Sequence, residues 1–177
     1  MSTTSLSQEV IRQIPLFRGL SDEEARQMVA ISQVMHFQPG EVILRQGGRS
    51  RNLWVLLDGT CEVTRHGTDG RDVVLATLEP YANFGEMSFF HAAPHSASVR
   101  AKTHVQLLRI GRSDYEHLVE KNSLAAYKLA YNTLDVLADR LRHMDQWVAQ
   151  LLEEQNDGQM VCEWSQFRQT LFSEWNL

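Results

Sequence analysis

Phe84-Gly85-Glu86-Met87-Ser88-Phe89-Phe90, followed three residues later by Pro94-His95-Ser96-Ala97-Ser98-Val99-Arg100-Ala101, is the stretch on which the whole chain turns. It lies between two runs that read as strands. Gly85 can open a short helical turn whose free backbone N–H groups face an anion. Glu86, beside that turn, is suited to accept hydrogen bonds from sugar hydroxyls. Ser96, Ala97 and Ser98 are small enough to let the backbone approach a ligand. A solvated glutamate after a glycine is the common alternative reading of such a dipeptide.

On either side, β-formers alternate with turn signals at Pro39-Gly40, Gly47-Gly48, Asp58-Gly59, Asp69-Gly70 and Glu79-Pro80. Asn52–Leu57, Thr60–Arg65, Asp72–Leu78, Ala97–Ala101 and Val105–Ile110 are expected strands. Asp69-Gly70 is the clearest hairpin turn, since both residues tolerate positive φ. Short strands with turns at roughly ten-residue spacing point to a sandwich, barrel or jelly roll. Before them, Ser21 and Glu24 fit a capping box, and Ala25, Met28, Val29 and Ser32 give a helical apolar face. After them, Ser113 is placed to cap a short helix through Glu120. Leu124 to Glu154 then runs without Gly or Pro. Tyr127, Ala130, Leu134, Leu137, Leu141, Met144, Val148 and Leu151 follow a heptad a/d spacing, which favours a two-stranded coiled coil over a helix packed only on its own domain. With Leu141 at a, Arg140 is g and Asp145 the next e, an attractive pair in a parallel dimer. The expected divisions are 1–123 for N-terminal helices and β-roll, 124–156 for the long helix, and 157–177 for a short aromatic helix or lid. In that last segment Trp164, Phe167, Leu171 and Trp175 share one face.

The 177 residues are 43% hydrophobic and carry a net charge of −5. An acidic balance gives no electrostatic reason to expect nucleic-acid or anionic-membrane binding. Cys61 and Cys162 support neither a disulfide framework nor a zinc site. The polar stretch Met1–Gln13 is no signal peptide and no run is long enough to span a membrane, so the cytoplasm is the expected location. The histidines form no His-x-His pair, and Pro94 spoils a helical presentation of His91 and His95, so no metal is expected. No nucleophile elbow, Walker loop or paired-carboxylate motif is found, and no enzyme or cofactor is expected. The 23 residues after Glu154 hold one basic residue, Arg168, and are too few for a helix-turn-helix, so direct DNA binding is not expected.

The stretch at 84–101 resembles the phosphate-binding cassette of the cyclic-nucleotide-binding family, which includes the bacterial catabolite activator protein and the regulatory subunits of cyclic-AMP-dependent kinase. Pro15–Ser21, Gly40-Glu41-Val42-Ile43, Gln46-Gly47 and Leu53–Gly59 resemble further family segments in the same order. The resemblance implies a mainly β fold: a double-stranded β-helix or jelly-roll of the β-roll type, with N-terminal helices and a long C-terminal dimerisation helix. It implies that cyclic AMP or cyclic GMP is the ligand. Gly85 and Glu86 would take the ribose and phosphate, and Met87 and Ser88 fall in the same cassette helix. Positions 95, Ser96 and the Ala97 backbone would meet the cyclic phosphate. Val63 and Leu75 would flank the purine, while Arg140, Met144 and Asp145 fall where the long helix reaches the pocket, with Arg140 able to pair with Glu86.

One departure from the family pattern stands out. The phosphate arginine is here His95, whereas Arg100 is expected on the opposite face. A bidentate guanidinium contact contributes about 2–4 kcal/mol, roughly 30- to 1,000-fold in affinity. Three readings follow: weak cyclic-nucleotide binding, a different ligand, or a degenerate pocket. The function expected is a ligand-sensing module that signals through a homodimer helix at 127–151 to an effector protein in trans. The alternative is a ligand-independent interaction and dimerisation module.

Overall fold

The computed structural model describes residues 8–67, 70–155 and Trp164. The chain divides into two compact units, Met1–Leu134 and Asp135–Leu177. The first begins with α1 (Gln8–Gln13), a 3-10 turn at Pro15–Phe17 and α2 (Asp22–Ala30). The capping box at the start of α2 is complete: Ser21 Oγ accepts from the Glu24 amide, and the Glu24 carboxylate accepts from the Ser21 amide at 2.6 Å. Ser32 does not extend the helical face as the spacing predicted. It opens β1 (Ser32–Phe37), and its hydroxyl donates to the Met28 carbonyl, closing the helix behind it.

The roll continues through β2 (Val42–Leu44), β3 (Asn52–Asp58), β4 (Cys61–His66), β5 (Asp72–Leu78) and β6 (Asn83–Phe84). The short α3 (Glu86–Phe90) precedes β7 (Ser98–Ala101) and β8 (Val105–Gly111). Two antiparallel four-stranded sheets result, ordered β1-β8-β3-β6 and β2-β7-β4-β5. Trp54, Leu56, Phe84 and Leu107 from the first sheet meet Leu44, Cys61, Val99 and Ala101 from the second in one core. Trp54 stacks on Phe84 and takes Phe37 edge-on. Cys61 is fully buried and pairs across to both Leu78 and Ala101, and burial pushes its thiol up to about 11. The turn into β6 places Tyr81 at φ 72°, a left-handed conformation that side chains rarely adopt. Asp69, in the expected hairpin turn, and the aromatic tail apart from Trp164 lie outside the described residues.

Two helices follow. α4 (Arg112–Glu120) starts one residue before the expected cap: Gly111 holds the N-cap position without a side-chain bond, so Ser113 lies inside the helix. α5 runs from Leu124 to Gln155. Within the first unit its two faces differ. Ala125, Ala126, Leu129, Asn132 and Thr133 are buried. Asn132 donates to the carbonyls of Leu16 and Arg18, Lys128 to Glu24 and the Gly19 carbonyl, and Ser123 to Gln27. Tyr127, Tyr131 and Leu134 on the other face are exposed, Leu134 by 65%. Farther along, in the second unit, Leu141, Met144 and Trp147 are exposed too. No helix among the described residues is long and apolar enough to cross a membrane.

Candidate functional site

The cassette is built around Gly85. It caps α3 at φ 80°, and a Cβ there would stand 2.5 Å from the Asn52 carbonyl oxygen, so only glycine fits. That packing fixes where α3 begins and therefore where Glu86 sits. Glu86 is 4% exposed and accepts from Asn83 Nδ2 at 3.5 Å. Met87 points outward, 62% exposed, while Ser88 and Phe89 turn inward. This alternation follows from the helical period: within one turn, 86, 88 and 89 cannot all face solvent if the apolar Phe89 is to join the core.

His95 is 7% exposed, and both ring nitrogens are engaged. Nδ1 lies 2.9 Å from Ser88 Oγ and Nε2 2.9 Å from Ser50 Oγ. The Ser88 hydroxyl donates to the Gly85 carbonyl and so accepts from Nδ1–H, while Nε2 accepts from the Ser50 hydroxyl, which satisfies a neutral imidazole. Burial holds its pKa below the ordinary histidine value. At the position where the resemblance places the phosphate contact, the ring is a buried clasp between the cassette and the loop joining β2 to β3. The backbone completes the clasp: the Gly47 amide donates to the His95 carbonyl and the His95 amide to the Gly48 carbonyl.

The remaining expected positions divide. Ser96 is exposed and Ala97 partly buried beside His95. Val63 on β4 is packed against the roll core. Leu75 does not line an apolar wall: β5 is an edge strand paired only with β4, and Leu75 is 54% exposed with Val73 and Val74. Arg140 and Met144 are exposed residues of α5 in the second unit. Arg100 faces outward as expected and donates to the Gly40 carbonyl at 2.8 Å.

Sequence reasoning missed the loop that frames the cassette. Three successive residues touch it at three points: Ser50 at His95, Arg51 at the Phe89 carbonyl through Nη2 (3.1 Å), and Asn52 at Gly85. The one available signal was the basic cluster Arg49-Ser50-Arg51 beside Gly47-Gly48, which reads as a turn alone. Arg112 was missed as well. Its guanidinium lies 5.3–5.9 Å from the ring centroids of Phe89, Phe90 and Tyr115, and it donates to the Phe89 carbonyl and to Glu116. That contact, with lesser help from Arg51, holds the Glu116 carboxyl below its usual range. Tyr115 in turn donates to the Ala126 carbonyl of α5. No cluster of three metal-ligating side chains is found among the described residues.

Two antiparallel four-stranded sheets with a short glycine-capped helix between the sixth and seventh strands define a β-roll. The chain belongs to the cyclic nucleotide-binding domain family, whose pattern matches residues 34–122. It is 34% identical over 131 residues to the cyclic AMP receptor protein of Thermus thermophilus, covering 74% of this chain and 59% of that protein. It is 34% identical over 116 residues to the potassium channel KOR1 of Oryza sativa subsp. japonica, covering 66% of this chain but only 14% of the channel. Among solved structures, the Thermus thermophilus catabolite activator protein superposes with a TM-score of 0.69 at 32% identity, covering 77% of this chain and 62% of that one. The chain thus spans a minor part of the channel and somewhat under two thirds of the receptor protein.

Proposed function

We propose that this protein is a regulatory module that senses a cyclic nucleotide at the cassette and signals through a dimer formed along α5 to a partner in trans. The observation that carries the reading is the pairing of Gly85 with Glu86. The glycine is wedged against Asn52 and the carboxylate is held out of bulk water, a costly arrangement that a sugar hydroxyl donor would repay. Cyclic AMP is named in the Thermus receptor protein and in the cAMP-dependent protein kinase regulatory subunit of Schizosaccharomyces pombe. The ligand's sugar and phosphate would meet Gly85, Glu86, Ser96 and Ala97, with Val63 toward the base. Homodimerisation through 127–151 is supported by the exposed apolar face of α5. Calorimetric titration with cyclic AMP, cyclic GMP and cyclic di-GMP tests the reading. Saturable 1:1 binding of a cyclic mononucleotide, weakened at least tenfold by Glu86→Gln, is expected; no heat with any of the three sinks it.

A second reading has its own support. His95 is satisfied by Ser50 and Ser88 without any ligand, so the same fold can serve as a ligand-independent dimerisation module. That reading predicts an unaltered melting temperature in saturating nucleotide.

A further inference from the structure

Because His95 is committed to Ser50 and Ser88, an anionic ligand at the cassette needs its positive charge from elsewhere. Of the cations around the cassette, Arg100 is turned away to the Gly40 carbonyl, and Arg112 is occupied by Glu116 and three aromatic rings. Arg51 is different. It is partly buried between Ser50, which holds His95, and Asn52, which abuts Gly85. Among the described residues its side chain makes one hydrogen bond, Nη2 to the Phe89 carbonyl at 3.1 Å, its Nε–H is buried without an acceptor, and its charge is shared with Glu116 only at a distance, as a lesser partner beside Arg112. A guanidinium carries five N–H donors in a planar fork, so this group is underused where it lies. Its single acceptor is also shared: Arg112 Nη1 donates to the same Phe89 carbonyl at 3.3 Å. Arg51 can therefore leave without orphaning a buried carbonyl, which removes the usual cost of redirecting a buried donor.

We propose that Arg51 is the cation that meets the anionic group of the ligand, passing the Phe89 carbonyl to Arg112 as it does so. The cassette then keeps a permanent fork of phosphate donors, delivered from the β2–β3 loop rather than from position 95. The proposal rests on the cyclic-nucleotide reading above. It also gives the His95 clasp a purpose, since the clasp holds the loop that carries Arg51 against the cassette.

The test is calorimetric titration of cyclic AMP into the full chain and into Arg51→Gln, Arg51→Lys and His95→Gln, each at low and high salt. Arg51→Gln should bind at least tenfold more weakly than wild type and lose most of the salt dependence. Arg51→Lys should keep the salt dependence while losing severalfold in affinity, and it carries the test if the glutamine variant fails to fold. His95→Gln should keep the wild-type salt dependence. Wild-type affinity in either Arg51 variant overturns the proposal alone, as does loss of the salt dependence in His95→Gln with its retention in Arg51→Gln. No binding by the wild-type chain overturns the cyclic-nucleotide reading and this proposal with it.

Discussion

The two faces of α5 present opposite solutions on one helix. On the face carrying Leu129, Asn132 and Thr133, apolar groups are buried, Asn132 donates to carbonyls of the N-terminal segment, and the Thr133 hydroxyl donates back to the Leu129 carbonyl of its own helix. On the face carrying Tyr127, Tyr131 and Leu134, the side chains are larger and more apolar, yet they stand in solvent. A helix that packed only on its own domain would put its polar residues outward. The first face fixes α5 to the N-terminal helices, and the exposed apolar second face is what the proposed dimer would cover. The coiled-coil and own-domain readings of this segment fall on different faces and do not exclude one another.

The contrast can be broken at several points. The largest effect is expected from Leu129→Ala, which opens a cavity on the buried face and should cost about 2–5 kcal/mol in urea unfolding. If that cost is below about 1 kcal/mol, the buried face is not what holds the helix. Asn132→Ala removes two hydrogen bonds and leaves the Leu16 and Arg18 carbonyls without their donor, for a loss of about 1–3 kcal/mol in the same assay. Leu141→Asp should change the stability of the isolated fold by no more than about 0.5 kcal/mol. Light scattering should nevertheless show a dimer reduced to a monomer; a wild-type monomer at micromolar concentration would remove the partner from the account. The smallest effect belongs to Lys128→Met. Lys128 holds the Glu24 carboxyl below its usual value, with help from the Ser21 amide. A lowered folded pKa means that stability is present above the unfolded carboxylate pKa, about 4.3, and is lost as pH falls through the folded value. The variant should flatten that acid-side loss by less than about 0.5 kcal/mol, because Lys128 remains partly in water. Acid unfolding curves that superimpose for the two proteins would show that the pair contributes nothing.

Much of the roll was legible because its signals are local. The capping box at Ser21 and Glu24, the turns that separate the strands, and Gly85 as a backbone requirement each involve residues within a few positions of one another. What escaped depended on distance along the chain. The contact of His95 with Ser50, forty-five residues earlier, has no signal at either position. The resemblance alone places Leu75 toward the purine, and nothing in its own segment signals that β5 is an edge strand. Ser113 reads as a cap because serine favours that role, whereas α4 continues directly out of β8 at Gly111 and needs none of its side chain. Arg51 and Arg112 gave no local cue, since the carbonyl they share belongs to neither segment.

Cys61 offers a clock for the roll. Its sulfur is sealed at the centre of the second sheet, and with a pKa of about 11 only about one thiol in a thousand is ionised at pH 8 even when a reagent arrives. Labelling by a thiol reagent therefore waits for the strands on both sides of β4 to part. In a chain where Cys162 is replaced by serine, the rate at which Cys61 reacts measures how often the roll opens. Ligands, partners and substitutions can then be ranked by how far each slows that opening, without a denaturant and without a spectroscopic probe of the site.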